Sequence, residues 1–563
     1  MMNSRQHKID DLIRTGLSYH QQGNIARAET YYQEVLKLDR KNFHATYLLG
    51  LMAAQTGRHD QAVELIARAI AIDPNLPDAH YNRGNSLLAL QRLDQALKSY
   101  DRAVALEPGY LEAWANRGSV LLALARFDQA LVSYDKVIGL KPNEPAAHYN
   151  RGVALEALDR FAEAAESYGR ATTLNPNYAE AHANHGVAMQ ALARFEDALA
   201  SYDKAITLRP DDAETWSNRG NPLLMLARFD EALASYERAI ALSPDHADAR
   251  HNRGIARLLN ADFGQGLVDY EWRKRARQPV ANHAFQQPLW LGESDLAGRT
   301  ILIHGEQGLG DTIQFCRYIP LLHERGAVVL FAPQKQLRGL MRSLQGGPAI
   351  VDIDDPSLAF DAHCPLLSLP LALRTDLATI PNHVPYLAAE AERVERWSQA
   401  IGQDEFRIGI CWQGSTNKAD VGRSFPVSEF RGVAGLGGIR LISLHKGAGE
   451  NQLATLPEGM GVETLGEGFD ASPDAFLDTA AAMQCCDLII TSDTAVAHLA
   501  GALARPTWVA LQRVPDWRWM LDRPDTPWYP TMRLFRQKAA GDWQGVFAEI
   551  ESELARLLQS HRL

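Results

Sequence analysis

The sequence lacks the cysteine pattern of a disulfide-stabilised or zinc-binding protein. It contains five cysteines, and none is spaced from another in the way that paired metal ligands are. They are Cys316, Cys364, Cys411, Cys485 and Cys486. The last two precede the apolar run DLII, so we predict buried, reduced thiols rather than disulfides.

Long apolar runs and an excess of positive charge are also missing. No 18-residue apolar run occurs, and the opening MMNSRQHKIDDLIR has no apolar signal-like segment, so we expect a cytoplasmic protein without a membrane span. The net charge of −11 argues against a nucleic-acid partner, which requires clustered Lys and Arg. A chain of 563 residues is too long for one hydrophobic core and predicts about two to four domains.

Internal repetition is what the sequence has in abundance. Glycine, proline and tyrosine each recur with a period of 34 residues in the first half. The recurring glycines are Gly16, Gly50, Gly84, Gly118, Gly152, Gly186, Gly220 and Gly254. The unit at 79–110 reads as two amphipathic helices, in which the glycine allows close approach and the proline ends the second helix. The pattern resembles the tetratricopeptide repeat and predicts an α-solenoid of about eight repeats over residues 1–280.

An asparagine stands two residues before the glycine in six of these repeats. The six are Asn82, Asn116, Asn150, Asn184, Asn218 and Asn252. The first helix of each repeat lines the concave groove in this fold, and an amide offers both a donor and an acceptor to a peptide bond. We therefore predict that the six bind an acceptor polypeptide. Their arrangement resembles the asparagine ladder of O-GlcNAc transferase. The alternative is that each asparagine satisfies backbone groups between adjacent repeats.

A basic residue follows each of these asparagines. Five are arginines, and His185 takes the place of the sixth. The arginines are Arg83, Arg117, Arg151, Arg219 and Arg253. An inter-repeat polar stack is one interpretation, and we favour a solvated face.

The period ends near residue 285, and short apolar runs then alternate with helical patterns. Seven runs predict strands: 300–305, 327–332, 349–354, 407–412, 440–445, 487–492 and 507–512. This alternation is typical of parallel sheets with helices on both faces. The charged stretch 388–405 divides the runs into two sets, which predicts two lobes, at 281–390 and 391–563, with a closing helix at the end. Ligands of open α/β sheets bind beyond the carboxyl ends of the strands, so we place the site in the cleft between the lobes.

A glycine-rich turn, HGEQGLGD (304–311), follows the first of these strands. It matches neither the dinucleotide-binding nor the P-loop pattern, and it ends in Asp311 at the start of a helix. The helix dipole there favours an ionised carboxylate, which suits a general base, whereas the alternative is that Asp311 caps the helix. One residue can do both.

The segment TSDTAVAHLAGAL (491–503) follows a later strand. We expect Ser492 or Asp493 to cap a helix that begins at Thr494, where exposed N–H groups suit a diphosphate. His498 lies one turn further along the same face. It either reaches that phosphate or packs against a strand.

The pairing of GLGD with SDTAVAHLAGAL resembles glycosyltransferase family 9, the heptosyltransferase-like enzymes of GT-B fold, over about residues 288–550. The resemblance implies an α/β GT-B fold of two Rossmann-like lobes, a nucleotide-sugar donor, no metal or other cofactor, and inversion at the anomeric carbon. It implies that Asp311 is the base and that Asp493, Thr494 and His498 hold the donor diphosphate, with Ala495 replacing the glycine of the family motif. Further phosphate contacts map to Ser415, Thr416, Arg423 and Lys446, with Lys418 as a neighbour.

Two other features have a competing interpretation. VDIDDP (351–356) contains D-x-D, a metal signature of another glycosyltransferase fold, but we favour carboxylates that end a strand. The aromatic residues of 517–529 suit stacking on a base or sugar, but we favour a packing role.

Together these patterns predict a cytoplasmic glycosyltransferase whose repeats recruit a polypeptide acceptor. Two alternatives remain open. One is an adaptor that has lost activity and binds proteins through its repeats. The other is a transferase with a glycolipid or saccharide acceptor, whose repeats serve assembly.

Overall fold

Sixteen helices in antiparallel pairs form the first half of the chain in the computed structural model, which describes residues 2–277, 283–414 and 422–561. Helices α1 to α16 span Met2–Gln21, Ile25–Leu38, Phe43–Gln55, His59–Ile72, Pro77–Ala89, Leu93–Leu106, Leu111–Ala123, Phe127–Leu140, Pro145–Ala157, Phe161–Leu174, Ala179–Ala191, Phe195–Leu208, Ala213–Met225, Phe229–Leu242, Ala247–Leu259 and Phe263–Tyr270. The predicted solenoid of eight helix pairs is confirmed.

The glycine and tyrosine periods have one physical cause. A Cβ placed on Gly84 would lie 2.6 Å from Cε1 of Tyr100, sixteen residues later on the partner helix. Gly118 and Gly152 meet the tyrosines of their own repeats in the same way. The absence of a side chain at the glycine therefore leaves room for the fully buried tyrosine ring of the paired helix.

The arginines that follow the asparagines are not a solvated face. Arg117 on α7 donates from Nε to Asp101 on α6 at 2.7 Å and from Nη1 to Ser133 on α8 at 2.7 Å. Arg151 contacts Asp135 and Ser167 in the same pattern. Each arginine thus joins the second helix of one repeat to the second helix of the next. The interpretation that we did not favour, an inter-repeat polar stack, is correct for these positions.

Two parallel sheets follow the repeats. The remaining elements are β1 Thr300–His304, α17 Leu309–Phe315, α18 Ile319–Glu324, β2 Val328–Ala332, α19 Arg338–Met341, β3 Ala349–Ile350, β4 Ala362–Pro365, α20 Leu369–Ala372, α21 Ala391–Ile401, β5 Phe406–Cys411, α22 Arg431–Ala434, β6 Ile439–Ser443, α23 Leu477–Gln484, β7 Leu488–Ser492, α24 Ala495–Ala502, β8 Thr507–Leu511, β9 Met532–Arg536 and α25 Trp543–His561. The strand orders are β3-β2-β1-β4 and β6-β5-β7-β8-β9, and every pairing is parallel.

All seven predicted strands are present, and two further strands were missed. β4 is short, contains a histidine and ends in proline, whereas β9 alternates apolar residues with arginine. Both lie at the edge of their sheets, and their short, mixed sequences contain no continuous apolar run. The predicted dividing helix and closing helix correspond to α21 and α25.

The chain divides into compact units at 1–222 and 223–563. The second unit includes the last repeat helices as well as both sheets. Leu258, Phe263 and Tyr270 of those helices belong to the same apolar core as Phe315 and Trp517 of the α/β region. The sequence period runs to about residue 280, but packing joins the end of the repeats to the α/β part. Among the described residues, no helix has the length and apolarity needed to cross a bilayer.

Candidate functional site

The glycine-rich turn after β1 delivers Asp311 to the first turn of α17. Gly308 precedes the helix, and its N–H donates to Oδ2 of Asp311 at 2.9 Å. The other carboxylate oxygen, Oδ1, accepts a hydrogen bond from Nη2 of Arg518. Asp311 therefore does cap its helix, and it also faces a cation from a distant part of the chain.

Gly310 is where α17 meets α24. A Cβ on Gly310 would lie 3.0 Å from Cδ2 of His498 and 3.2 Å from Cα of Ala495. Ala495 and His498 both belong to the predicted phosphate segment. The turn thus needs glycine so that two helices, one from each sheet region, can approach at the site.

A cavity of about 930 Å³ opens at this helix contact. Residues 307–311 form one part of its wall, and the ends of β5, β6 and β7 supply another. Helix α15 of the last repeat contributes His251 and Ile255, and α16 contributes Tyr270. The predicted cleft at the carboxyl ends of the strands is therefore present, and the last repeat adds a wall that we did not predict.

The charges around Asp311 differ from the expectation based on the helix dipole. Burial raises the pKa of Asp311 above its usual value, Asp516 adds to the rise, and Arg518 opposes it. The helix that bears Asp311 is only seven residues long, so its dipole is small. Burial therefore acts against the ionised form that the helix start favours.

Arg518 lies between two carboxylates. Its Nη1 donates to Oδ1 of Asp516 at 2.7 Å, and its Nη2 donates to Asp311. The side chain of Arg518 is only 7% exposed. A buried arginine held by two aspartates has a fixed orientation, so it also fixes the carboxylate of Asp311.

Asp493 is the second carboxylate of interest in the cavity wall. Burial, with the charge of Asp516, raises the pKa of Asp493 to about 6. Its Oδ2 is buried and has no hydrogen-bond partner among the described residues. A buried carboxylate oxygen without a donor is costly, and a ligand hydroxyl would satisfy it.

The predicted cap at the start of α24 is one residue later than expected. Thr494, rather than Ser492 or Asp493, occupies the N-cap position, and the helix begins at Ala495. Thr494 lines the cavity, and its hydroxyl lies 3.3 Å from that of Thr491. The first N–H groups of α24 therefore begin at the cavity wall, as an anion site requires.

His498 lines the cavity as a buried, neutral imidazole. Its Nδ1 lies 3.1 Å from the hydroxyl of Tyr529, and its ring stacks on Trp519 with centroids 5.2 Å apart. Burial lowers the pKa of His498 to about 3. His498 can therefore offer a neutral N–H or an aromatic edge, but not a positive charge, to a phosphate.

The remaining predicted phosphate contacts have different outcomes. Arg423 and Lys446 both line the cavity, Arg423 half-buried and Lys446 exposed. Ser415, Thr416 and Lys418 lie outside the described residues.

Several wall residues had no sequence signal. Arg518 and Asp516 lie in a segment that we assigned to packing, and Tyr270 and His251 belong to the last repeat. No local spacing connects residue 311 with residue 518. The aromatic neighbours do pack as we favoured, because Trp517, Trp519 and Trp528 are each at most 3% exposed.

Three asparagine side chains of the first unit are bonded to the preceding repeat. Asn82 donates from Nδ2 to the hydroxyl of Tyr47 at 2.7 Å, and Asn184 donates to Tyr149 at 3.3 Å. Asn116 donates to Oδ1 of Asn85 at 2.9 Å. Asn116 also donates to the hydroxyl of Tyr81 at 3.4 Å, so all these bonds are made through the amide nitrogen. The ladder thus already links repeats and keeps amide oxygen available.

The other three asparagines differ in their contacts and positions. Asn218 donates to Glu214 of its own helix at 3.4 Å. Asn150 is half-buried at the equivalent position of its repeat. Asn252 belongs to the second unit, on α15 beside His251 of the cavity wall.

The D-x-D motif is engaged in local contacts. Asp352 pairs with Arg338 at 2.9 Å and accepts from the N–H of Asp354, the other motif residue, at 3.3 Å, while the adjacent Asp355 accepts from the hydroxyl of Ser357 at 2.7 Å. These contacts lower the pKa of Asp352 and of Asp355. The motif therefore behaves as a turn that follows a short β3.

Two tetratricopeptide-repeat families match the chain. The family described as tetratricopeptide repeat matches residues 13–77, 81–145, 116–179 and 149–213, and the family described as TPR repeat matches 228–260. The chain carries tetratricopeptide repeats across residues 13–260.

The chain is also similar to curated proteins over part of its length. It is 26% identical over 292 residues to Protein FlbA of Caulobacter vibrioides, which covers 47% of this chain and 48% of that protein. It is 35% identical over 74 residues to Photosystem I assembly protein Ycf3 of Acaryochloris marina, which covers 13% of this chain and 45% of that protein. The chain spans about half the length of the curated relatives it matches.

Among solved structures, the chain is similar to YrrB, described as a TPR protein with an unusual peptide-binding site. The identity is 24%, the TM-score is 0.32, and the match covers 34% of this chain and 99% of that chain.

Proposed function

We propose that the chain is a cytoplasmic glycosyltransferase of GT-B type, which moves a sugar from a nucleotide-sugar donor to a polypeptide acceptor with inversion. One observation carries the proposal. Asp311 and the start of α24 at Thr494 line the same cavity, at the carboxyl ends of two parallel sheets. A base and an anion site that share one cavity are what a single displacement at an anomeric carbon needs.

Asp311 is the proposed base. It takes the proton of the acceptor hydroxyl while that oxygen bonds to the anomeric carbon. The bond from that carbon to the nucleotide oxygen breaks, and its electron pair leaves with the phosphate. The raised pKa of Asp311 makes it a stronger base than an exposed aspartate, and Arg518 holds its carboxylate in one orientation.

The opposite wall stabilises the departing phosphate. Arg423 supplies positive charge, and the first N–H groups of α24 after Thr494 add donors aimed at the cavity. Lys446 adds a second cation at the end of β6. Asp493, whose carboxylate lines the cavity beside Trp519, accepts a hydroxyl of the donor.

The repeats hold the acceptor in this proposal. Tetratricopeptide arrays bind peptides along their concave face, and Asn82, Asn116 and Asn184 make their bonds between repeats through Nδ2, which directs the acceptor role to their amide oxygens. The bonds to Tyr47 and Tyr149 fix the orientation of Asn82 and Asn184, so the ladder is preorganised.

A second candidate is an adaptor without transfer activity. The observation that favours it is that both oxygens of Asp311 already accept hydrogen bonds, from Gly308 and from Arg518. Measured transfer would eliminate this candidate.

The experiment is a transfer assay with purified protein. Nucleotide sugars are incubated with protein extracts from cells that lack the chain, and new sugar masses on peptides are detected by mass spectrometry. We expect transfer by the wild type and at least about a 100-fold loss in Asp311→Asn. Asp354→Asn, an exposed carboxylate of the D-x-D motif, is the matched control and should remain active. Absence of transfer with every donor would reject the proposal.

The acceptor assignment has its own test. Asn82, Asn116 and Asn184 are replaced together by alanine, and transfer to the polypeptide is compared with hydrolysis of the donor by water. We expect transfer to fall while hydrolysis is unchanged. Unchanged transfer would instead leave a glycolipid or saccharide acceptor, with the asparagines joining repeats.

A further inference from the structure

One part of the cavity wall is apolar, in contrast to the charged part around Asp311. It comprises Cys411 at the end of β5, Leu444 after β6, Phe476 before α23 and Val496 in α24. These residues also belong to one apolar cluster, with Phe476 packed against it from the cavity side. The wall therefore has a continuous apolar face that the proposed chemistry of Asp311 does not use.

The backbone at Phe476 is left-handed. Its φ is +67° and its ψ is 4°, a region that an aromatic residue occupies at a cost. Nearby hydrogen bonds hold it there. Asp470 accepts from the N–H of Asp478 at 2.8 Å, and its own N–H donates to Oδ2 of Asp478 at 3.1 Å. The residue just before Phe476, Ala475, donates from its N–H to the carbonyl of Gln336 at 2.8 Å.

The apolar face lies next to the proposed phosphate site. The hydroxyls of Thr494 and Thr491 lie beside the Cys411 thiol, and Thr494 is the first residue of the α24 anion site. An apolar, aromatic face beside a phosphate site matches the layout of a nucleotide, in which a flat base is joined to charged phosphates.

We infer that the ring of Phe476 stacks on the nucleobase of the donor, with Cys411, Leu444 and Val496 forming the rest of the base slot. This inference rests on the proposed function, because it assumes a nucleotide in the cavity. A sugar is a poorer fit to the apolar face, because its hydroxyls need hydrogen-bond partners that apolar side chains do not provide. The sugar belongs instead near Asp311 and Arg518, where charges and donors converge.

Stacking on a base accounts for the left-handed backbone of Phe476. A ring that only filled the core would not require a left-handed backbone, since leucine at a relaxed position packs as well. The bonds from Asp470 and Gln336 keep the ring at the cavity edge instead. Loss of the ring should therefore weaken the binding of nucleotides but not the binding of pyrophosphate.

The test compares four proteins: wild type, Phe476→Tyr, Phe476→Leu and Phe476→Gly. Calorimetry measures the Kd of each for inorganic pyrophosphate and for the mono- and diphosphates of the five common nucleosides. We expect the best nucleotide to bind about tenfold more weakly to the Leu and Gly variants and with unchanged affinity to Tyr. Pyrophosphate affinity should be equal in all four, because it has no base.

Thermal unfolding separates binding from structure. The Leu variant keeps an apolar side chain against the cluster, so its unfolding temperature should stay close to that of the wild type while its nucleotide affinity falls. Equal nucleotide affinities across the four proteins would overturn the inference and leave the proposed function intact. A wild type that binds pyrophosphate but prefers no nucleotide would also overturn it. A wild type that binds none of the probes would reject the proposed function as well.

Discussion

The repeats and the α/β region differ in how far apart along the chain their contacting residues lie. In the repeats, Arg117 bonds to residues 16 positions away and Asn82 bonds to a tyrosine 35 positions away. In the cavity, Asp311 bonds to Arg518, 207 positions away. Periodic local contacts leave a visible pattern in the sequence, whereas a single long-range contact leaves none. The site is built from single long-range contacts.

The largest expected effect concerns a buried ion pair of the α/β region. Arg273 is 1% exposed and donates to Glu306, in the glycine-rich turn, and to Ser368. Replacement by methionine leaves Glu306 buried without a partner charge and should cost about 3–5 kcal/mol. Arg117→Met in the repeats should cost about 1 kcal/mol, since its partner Asp101 is 47% exposed.

Urea unfolding measures this difference. Nine of the eleven tryptophans lie in residues 223–563, so their fluorescence reports that unit, while circular dichroism reports the helices. Equal losses in the two variants would contradict the distinction between buried long-range and exposed periodic pairs.

The next effect concerns the close contact of two helices at the site. Gly310→Ala places a Cβ 3.2 Å from Cα of Ala495, so α17 must shift and carry Asp311 with it. We expect a loss of about 1–3 kcal/mol in stability and a lower transfer rate. Gly461→Ala is the control, because a Cβ there meets nothing within 4 Å. If both variants keep wild-type stability and rate, the contact does not position Asp311.

A pH-dependent effect follows from Asp493. Burial raises its pKa to about 6, above the unfolded value near 3.9. The contribution of Asp493 to the free energy of unfolding is therefore complete below about pH 4 and is lost as the pH rises through 6. Asp493→Asn removes this loss and should stabilise the protein on the order of 1–2 kcal/mol at pH 8. Melting temperatures of both proteins at pH 4.5 and pH 8 test it. A gain that is independent of pH would show that ionisation is not the cause.

The smallest effect concerns the turn between paired helices. Gly57 has φ of +75°, and the equivalent residue two repeats later is Ala125, with φ of +53°. Ala125→Gly should stabilise by about 0.5 kcal/mol, and Gly57→Ala should destabilise by about 1 kcal/mol. Opposite signs in urea unfolding are the expected result. The same sign for both would mean that the two turns are not equivalent.

The comparison also explains which parts of the structure sequence analysis predicted. The solenoid, the seven strands and α21 follow from local periodicity, and each is present. Asp311 and Thr494 were placed in one cleft because ligands of open α/β sheets bind beyond the carboxyl ends of the strands, and two lobes were expected to face each other there. The edge strands β4 and β9 carry too few apolar residues to be recognised.

The site residues that were missed share a cause. Arg518 acquires its role only through folding, because it must meet Asp311 across the cavity. The burial that raises the pKa of Asp311 was not predicted for the same reason, since a sequence shows the helix start but not the residues that cover it. The arginines of the repeats were also misread, because their partners Asp101 and Asp135 lie on the preceding repeat.

The most direct test of the account separates donor binding from transfer in Asp311→Asn. Nucleotide affinity is measured by calorimetry and kcat by mass spectrometry of the acceptor, with Asp354→Asn as control. The account predicts that Asp311→Asn keeps the nucleotide affinity of the wild type and loses at least about 100-fold in kcat. A kcat within a few-fold of wild type would contradict it, because the base would then lie elsewhere.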